Sequence, residues 1–375
     1  MIKRHMEKII QSKLNKGKAI IIYGARQVGK TTLLKKIFKK DSKEIYWLNG
    51  DRVEDRALLE NASSTRLLSF LSGKKMIIID EAQRIEDIGL KLKIIFDETP
   101  IQIVATGSSS FDLANKIQEP MTGRKYEYKL YPFSFDELAQ HSNTFEEYKQ
   151  LPNRLLFGSY PDVVLHEGNQ REVLENLANS YLYKDILEWG KIKKSAKILK
   201  LLQAIAFQIG SQVSYTELSR IVGINKETVE NYIDLLEKSF VIFRLHSFSR
   251  NLRNELKKSK KIYFYDNGIR NALINNFNPI ELRNDVGALW ENYIISERIK
   301  YTDHHQIYAN RYFWRTRYQQ EIDYIEEREG KLFAYEFKWN THKKVKIPNS
   351  FMNAYPDTKT KIITPANYHE FITRL

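Results

Sequence analysis

The apolar positions of the chain fall into distinct rhythms. In the first third they form short continuous runs, Ala19–Tyr23, Met76–Ile79 and 101–105, rich in isoleucine. Continuous rather than alternating apolar runs predict strands covered on both faces, as in a parallel sheet flanked by helices. The first run is followed by a glycine loop and then by an amphipathic helical pattern. Between 170 and 210 apolar and charged residues recur at helical spacing, in the segments 171–190 and 195–210. Further on, Val229, Tyr232, Ile233, Leu236 and Phe240 keep the i, i+3, i+4, i+7, i+11 spacing of a single buried helical stripe. The segments 240–245 and 261–266 then read as strands. The last hundred residues predict a helix over 287–299, with Leu289, Trp290, Tyr293, Ile294 and Ile299 inward, and strands at 312–317, 321–327, 331–339 and 360–364. This is an α/β chain.

Composition narrows the picture. At 375 residues the chain has room for two or three domains of the usual ~100–200 residues. Lys+Arg exceed Asp+Glu by 60 to 46, a net charge of +14, which favours a polyanionic partner, nucleic acid first and an anionic membrane surface second. There are no cysteines, so disulfides, thiolate metal sites and cysteine nucleophiles are excluded, which suits the cytoplasm. No apolar run approaches the ~20 residues that span a bilayer. The basic N-terminus lacks the apolar core of a signal peptide, so a cytoplasmic protein without a membrane partner is expected.

The loop after the first strand matches G-x-x-x-x-G-K-[ST] from Gly24 to Thr31. Its glycines let backbone N–H groups curl toward phosphate, and the following helix aims its N-terminal dipole at the anion. Gly24, Ala25, Arg26, Gln27, Val28, Gly29, Lys30, Thr31 and Thr32 are the expected ATP-binding stretch. Lys30 is the charge for the β- and γ-phosphates, and Thr31 the hydroxyl for Mg²⁺. The strand at 76–80 ends in Asp80 and Glu81, the first to hold Mg²⁺ through water and the second to orient the attacking water. The strand at 101–105 runs into Thr106, Gly107 and Ser108, where a polar side chain can sense the γ-phosphate. Three strands with polar C-terminal ends imply one crevice.

These motifs, with "TGSSS", "TGRKYEYKLYPFSFDEL" and "FGSYPDVV", resemble the AAA+ superfamily, in the prokaryotic branch close to the archaeal-type ATPases. The resemblance runs over nearly the whole chain and implies an AAA-type ATPase fused to a C-terminal domain. It makes Arg124 a candidate arginine finger for a neighbour's site in a homo-oligomeric ring. It also makes Gly158–Pro161 a candidate lid turn, although Gly, Ser and Pro are ordinary turn residues as well. Four segments are expected: an ATPase core over 1–145, a helical lid over 146–205, a winged helix over 206–266 and a nuclease-like domain over 267–375.

The winged helix is read from Ser214 and Glu217, an S-x-x-E capping box, from Gly223 as a breaker, and from Asn225 as the cap of a second helix. That second helix exposes Glu227, Glu230 and Asp234 beside Lys226 and Asn231, a poor surface for a groove lined with phosphates. The wing is better: Arg250, Arg253, Lys257, Lys258, Lys260 and Lys261 are the expected phosphate contacts. A solvated hairpin, or a winged helix used for packing, is the alternative.

In the last segment Asp323 is followed by Glu336, Phe337 and Lys338. Helix, three-strand meander, helix and strand resembles the PD-(D/E)XK nuclease fold, and Glu291 matches the family's helical carboxylate. Glu336 and Lys338, two apart on a strand, point the same way. Glu291, Asp323 and Glu336 would hold Mg²⁺ or Mn²⁺ through oxygen while Lys338 positions water. A charged, solvated hairpin is the competing reading, and Glu321, Glu326 and Glu327 dilute the pattern. The expectation is a Mg·ATP-hydrolysing enzyme acting on DNA, whose nuclease-like domain binds it and is a candidate for cutting it. The rival is an ATP-gated switch with slow turnover and an inactive nuclease fold that binds a partner.

Overall fold

The structure is a computed structural model. It describes residues 2–38, 42–60, 63–108, 117, 119–180, 195–249, 260–340 and 346–373. The chain divides into two compact units, residues 1–131 with 238–240, and residues 132–237 with 241–375.

The first unit is built on a five-stranded sheet of β1 (Ala19–Tyr23), β2 (Ile45–Asn49), β3 (Met76–Asp80), β4 (Gln102–Gly107) and β5 (Lys125–Lys129), in the order β2-β3-β4-β1-β5. All four pairings are parallel. Every residue of β1 and β4 is buried, as in strands covered on both faces, and in β4 this includes the polar Gln102 and Thr106. Parallel strands put all their C-terminal ends on one edge. Tyr23 pairs with Gly107, Asn49 with Asp80, and Ile79 with Ala105. The glycine loop, the acidic pair and Thr106 therefore emerge side by side. The loop leads into the helix Lys30–Ile37, with Gly29 at its cap in the left-handed region at φ 95°, where glycine carries no Cβ penalty.

The first unit ends at Tyr131, earlier than the 145 expected for the ATPase core. Polar contacts inside the second unit account for this. The Phe135 N–H donates to Glu297 at 2.7 Å, and Lys300 donates to the Phe133 carbonyl at 3.0 Å.

The second unit holds a seven-stranded mixed sheet of β6 (Gln212–Val213), β7 (Ile242–Ser247), β8 (Lys260–Phe264), β9 (Asn310–Arg315), β10 (Glu321–Arg328), β11 (Lys331–Phe337) and β12 (Lys359–Ile363). Its order is β12-β11-β10-β9-β7-β8-β6. β9, β10 and β11 form an antiparallel meander, and β12 pairs parallel to β11. β7 joins β9 in parallel through His246 and Ser247. One sheet thus takes strands from both sides of residue 266, where the sequence reading placed a boundary.

Ahead of β7 lie the helices Ser195–Phe207, Tyr215–Val222 and Lys226–Lys238. The Ser214 hydroxyl accepts from the Glu217 N–H at 3.3 Å, Gly223 closes that helix at φ 71°, and Asn225 accepts from the Thr228 N–H at 2.7 Å. Of the expected stripe Val229, Ile233 and Leu236 are buried on the helix, Tyr232 is half-buried, and the buried Phe240 lies beyond the helix end in a left-handed conformation. The candidate lid segments become the helices Leu151–Phe157, Pro161–Leu165 and Gln170–Ser180; residues 181–190 of the expected helical pattern lie outside the described residues. The helix Val286–His304 buries Leu289, Trp290, Tyr293, Ile294 and Ile299. Among the described residues no helix is long and apolar enough to cross a membrane.

Candidate functional site

At the C-terminal edge of the parallel sheet the expected nucleotide residues converge. Gly24 leaves β1 so close to the backbone that an added Cβ would stand 2.3 Å from the Leu130 carbonyl oxygen. Only glycine fits, and this close approach starts the curl of the loop. Val28 and Ala25 are buried and hold the loop on the core, while Arg26 is half-buried and Gln27 and Thr32 are exposed. Gln27 takes a left-handed φ of 56°. Lys30 is buried. Its ammonium donates to the carbonyls of Gly24 at 2.9 Å and Ala25 at 3.0 Å, and stands 3.7 Å from the Glu81 carboxylate.

The Thr31 hydroxyl donates to one oxygen of Asp80 at 2.6 Å. The Thr106 hydroxyl donates to the other, and also accepts from the Glu81 N–H at 3.2 Å. Asp80 is thus held between β4 and the helix after the loop, with Thr31 beside it. This oxygen-only pair suits a hard divalent cation. Glu81 has left-handed backbone, φ 50°, which turns its side chain out of the strand. Ser108 follows β4 and is buried.

One residue of this edge escaped the sequence reading. Gln83 is 2% exposed, and its Nε2 donates both to Glu81 at 2.6 Å and to Ser108 at 2.9 Å. Its proximity to the acidic pair was visible; that its amide turns back to join two strands was not.

Arg124 lies elsewhere. It precedes β5, whose first residue pairs with the first residue of β1. It therefore sits at the opposite end of the sheet from the glycine loop, about 17 Å away for a five-residue strand. Its guanidinium pairs with Asp97 at 3.0 Å. It cannot complete the site of its own chain.

In the second unit Gly158 takes φ 70°, and a Cβ there would collide with the Asp266 carboxylate at 2.0 Å. Asp266 accepts from the Ser159 N–H at 2.7 Å and from the Ile269 N–H at 3.2 Å. The Gly158–Pro161 turn is bound into this unit by a buried aspartate.

The sequence-predicted carboxylates of the second unit do meet, but in company. On β10 the register shifts between Ile322 and Ile325, a bulge of the kind that re-aims a side chain. Asp323, within it, accepts from the Phe337 N–H at 2.8 Å. Glu336 follows on β11. Lys338 donates to Glu336 at 3.1 Å and stands 3.7 Å from Asp323. Phe337 turns the other way, into a core with Tyr324 and Phe371.

Burial, the Asp323 charge and a hydrogen bond to it push the Glu336 carboxyl up to about 8. The Glu336 carboxyl therefore holds its proton at neutral pH. Burial would lower the Lys338 ammonium, but Asp323 and Glu336 outweigh it and hold the group above its ordinary value. Burial likewise raises the Glu291 carboxyl, against the pull of Lys261.

Lys261 corrects an expectation. It was assigned to a DNA backbone, yet it is 1% exposed; its ammonium pairs with Glu291 at 2.9 Å and also with Glu321. The Tyr263 hydroxyl donates to the same Glu291 oxygen at 2.5 Å. The physical reason is that β8 lies inside the sheet, so its alternate side chains face the cluster and not solvent. Lys260, the neighbour on the other face, lies with its ammonium 5.2 Å from the Tyr215 ring centroid. Arg250, Arg253, Lys257 and Lys258 lie outside the described residues. Arg244, on β7, pairs with Asp234 and Glu237.

The expected metal set of Glu291, Asp323 and Glu336 does not fit a divalent cation in this arrangement. Glu291 is engaged by Lys261 and Tyr263, and Lys338 donates to Glu336 and stands beside Asp323. Among the described residues no group of three or more acidic, histidine or cysteine side chains is set to hold a metal ion. Glu326, which seemed to dilute the motif, serves a separate pair: it is fully buried and takes both arms of Arg298 at 2.7 and 2.9 Å.

Comparison with known proteins agrees with the first unit. Residues 16–139 match the family model described as AAA domain. Residues 148–279 and 286–370 match two models described as domains of unknown function, DUF8612 and DUF4143. An uncharacterised protein of Mycobacterium tuberculosis is 26% identical over 332 residues, covering 87% of this chain and 71% of its own length. One from Methanocaldococcus jannaschii is 27% identical over 314 residues, 73% of this chain and 65% of its own length. Among solved structures, a Pif1 helicase from Bacteroides in complex with ADP-AlF3 and ssDNA is 15% identical over 48% of this chain and 50% of its own, at a TM-score of 0.26. A chain of Drosophila ORC bound to AT-rich DNA and Cdc6 is 11% identical over 72% of this chain and 89% of its own, also at 0.26. The first unit carries an AAA-type nucleotide-binding domain.

Proposed function

We propose that the protein is a Mg·ATP-dependent ATPase that acts on DNA. The observation that carries the ATPase reading is the Lys30–Thr31–Asp80–Glu81 constellation at one edge of a parallel sheet. Thr31 and Asp80 would hold Mg²⁺, which when bound neutralises phosphate charge. Lys30, now on two loop carbonyls, exchanges them for phosphate oxygens. Backbone N–H groups of residues 25–31 and the dipole of the following helix receive the rest of the anion. Glu81 accepts a proton from the attacking water as the bond from the γ-phosphorus to the bridging oxygen breaks. A ring of copies, with Arg124 reaching a neighbour's nucleotide, belongs to this reading; it requires Arg124 to leave Asp97.

DNA as partner is supported by the +14 net charge. The three helices and strand pair of residues 195–264 suit a winged helix, and the helix–meander–strand arrangement after them suits a nuclease-like fold. We read the latter as a grip, because its carboxylates are already paired with Lys261 and Lys338. Metal-dependent cleavage is the second reading, favoured by the convergence of Asp323, Glu336 and Lys338, and it requires those pairs to open.

The test is ATP hydrolysis by the full chain with and without single-stranded, duplex and branched DNA, alongside Lys30→Ala. Hydrolysis stimulated by DNA and reduced roughly 10²–10³-fold in Lys30→Ala is expected. Hydrolysis that ignores DNA would leave a switch and remove the DNA reading. Labelled DNA incubated with Mn²⁺ separates the two readings of the second unit: cleavage lost in Lys338→Ala would establish the nuclease.

A further inference from the structure

Gln83 does something that neither the phosphate loop nor the acidic pair requires of it. It follows Glu81 by two residues, in the middle of the short helical turn Ala82–Arg84, and it is 2% exposed. A glutamine in a surface turn is normally solvated, since burying an amide without partners costs a few kcal/mol. Here the Nε2 group is spent on two acceptors, Glu81 Oε2 at 2.6 Å and Ser108 Oγ at 2.9 Å.

These acceptors stand on neighbouring strand ends and have opposite tasks. Glu81 follows β3 and faces the Lys30 ammonium 3.7 Å away. Ser108 follows β4, and its hydroxyl is buried. The Glu81 backbone is itself fixed: its φ is left-handed, and its N–H is held by Thr106. The carboxylate therefore turns about its side-chain bonds alone, and Gln83 is the neutral donor holding one of its oxygens.

We infer that Gln83 is a positioning residue that links Ser108 to Glu81, so that the state of the phosphate end of the site sets the aim of the water-activating carboxylate. The inference rests on the ATPase reading above. The Ser108 hydroxyl has one proton and can give it to one acceptor at a time. A terminal phosphate oxygen is a stronger acceptor than a neutral group. When Ser108 donates to phosphate, its oxygen lone pairs stay on Gln83 and the amide is held in place. Glu81 is then held at the angle that serves water. After the phosphate departs, Ser108 loses that second anchor, so the Gln83 amide is held less firmly and Glu81 is aimed less strictly. A fixed hydrogen bond to a base is worth most when the base must be aimed rather than merely charged.

The experiment compares steady-state hydrolysis and nucleotide affinity, the latter by fluorescent ATP-analogue titration, in the full-length wild type, Gln83→Ala, Gln83→Asn, Ser108→Ala and the Gln83→Ala/Ser108→Ala double variant. Thermal melts confirm folding. Gln83→Ala is expected to lower kcat about 10–100-fold, with nucleotide affinity changed less than about 3-fold. Gln83→Asn, with a shorter arm, should fall between. Because the two residues act as one unit, the double variant should be no slower than the slower single variant. Additive losses, or losses of affinity in step with kcat, would overturn the linkage and leave Gln83 a packing residue. If Gln83→Ala fails to fold, Gln83→Asn and Ser108→Ala carry the comparison: unchanged kcat in both would overturn it equally. Wild-type protein that binds nucleotide but does not hydrolyse it would remove the ATPase reading and this inference together. Wild-type turnover with an unaffected Gln83→Ala would remove this inference alone.

Discussion

Two buried lysines, Lys30 and Lys261, illustrate how position divides one residue type into two tasks. Lys30 is held by two backbone carbonyls and one carboxylate 3.7 Å away, partners it can exchange for phosphate. Lys261 is closed in by Glu291 and Glu321, and has nothing to gain by leaving. Lys261→Met would leave two half-buried carboxylates without their buried cation. Breaking such a pair from one side costs about 3–5 kcal/mol, so urea denaturation at pH 7 should show a loss of that size. A loss under about 1 kcal/mol would mean that the ammonium is solvated rather than enclosed. Glu336 gives a pH test. Its folded value is raised to about 8 from an ordinary 4.5, so the folded state binds the proton more tightly. Its contribution to stability is complete below about pH 4.5 and is lost as pH rises through about 8. Glu336→Gln keeps the neutral shape at every pH. Wild-type stability should therefore fall relative to this variant between pH 5 and 8.5, by a few kcal/mol at most. Parallel stability curves would mean that burial and the Asp323 charge do not raise the Glu336 carboxyl.

At the scale of elements, the glycine loop joins β1 to the helix that carries Lys30 and Thr31, and Gly24 is where the join is tightest. Leu130 donates its N–H to the Tyr23 carbonyl at 2.7 Å, so the chain beyond β5 stays close to the end of β1. A Cβ on Gly24 would stand 2.3 Å from the Leu130 carbonyl oxygen, a backbone atom that cannot rotate away. Gly24→Ala should cost about 1–3 kcal/mol of stability by overpacking and weaken nucleotide binding by moving the loop. Unchanged binding in a fluorescent-ATP titration would show that the loop yields there. This element was legible in the sequence because its parts are local: strand, loop, helix and acidic pair each carry their own signature within a few residues. Other elements depend on neighbours far along the chain. The register shift that turns Asp323, the pairing of Glu326 with Arg298, and the enclosure of Lys261 are decided by which strand lies beside which. A basic run such as 257–261 reads as one solvated patch until the sheet shows that Lys261 faces inward.

For the whole molecule, the +14 charge makes a quantitative claim on DNA binding. A protein that neutralises phosphates releases condensed counterions, and log affinity falls with log salt by about 0.9 per phosphate contacted on duplex DNA. Arg250, Arg253, Lys257 and Lys258 remain the sequence's strongest cluster of cations for this purpose, while Lys261 and Arg244 are withdrawn by their own carboxylates. Replacing those four by alanine should reduce the salt slope by up to about 3 to 4 units, measured by fluorescence anisotropy of a labelled duplex across a salt series. Lys261→Gln, if folded, should leave the slope unchanged, because a buried, paired lysine releases no counterion. If the four-residue variant keeps the wild-type slope, phosphate is contacted elsewhere on the basic surface. If Lys261→Gln lowers it, the lysine must leave Glu291 and Glu321 when DNA binds, and the carboxylates it frees would then face the bound strand. That outcome would return the second unit to the metal-dependent reading, since the loss of the internal cation is what a divalent ion at Asp323 and Glu291 would need.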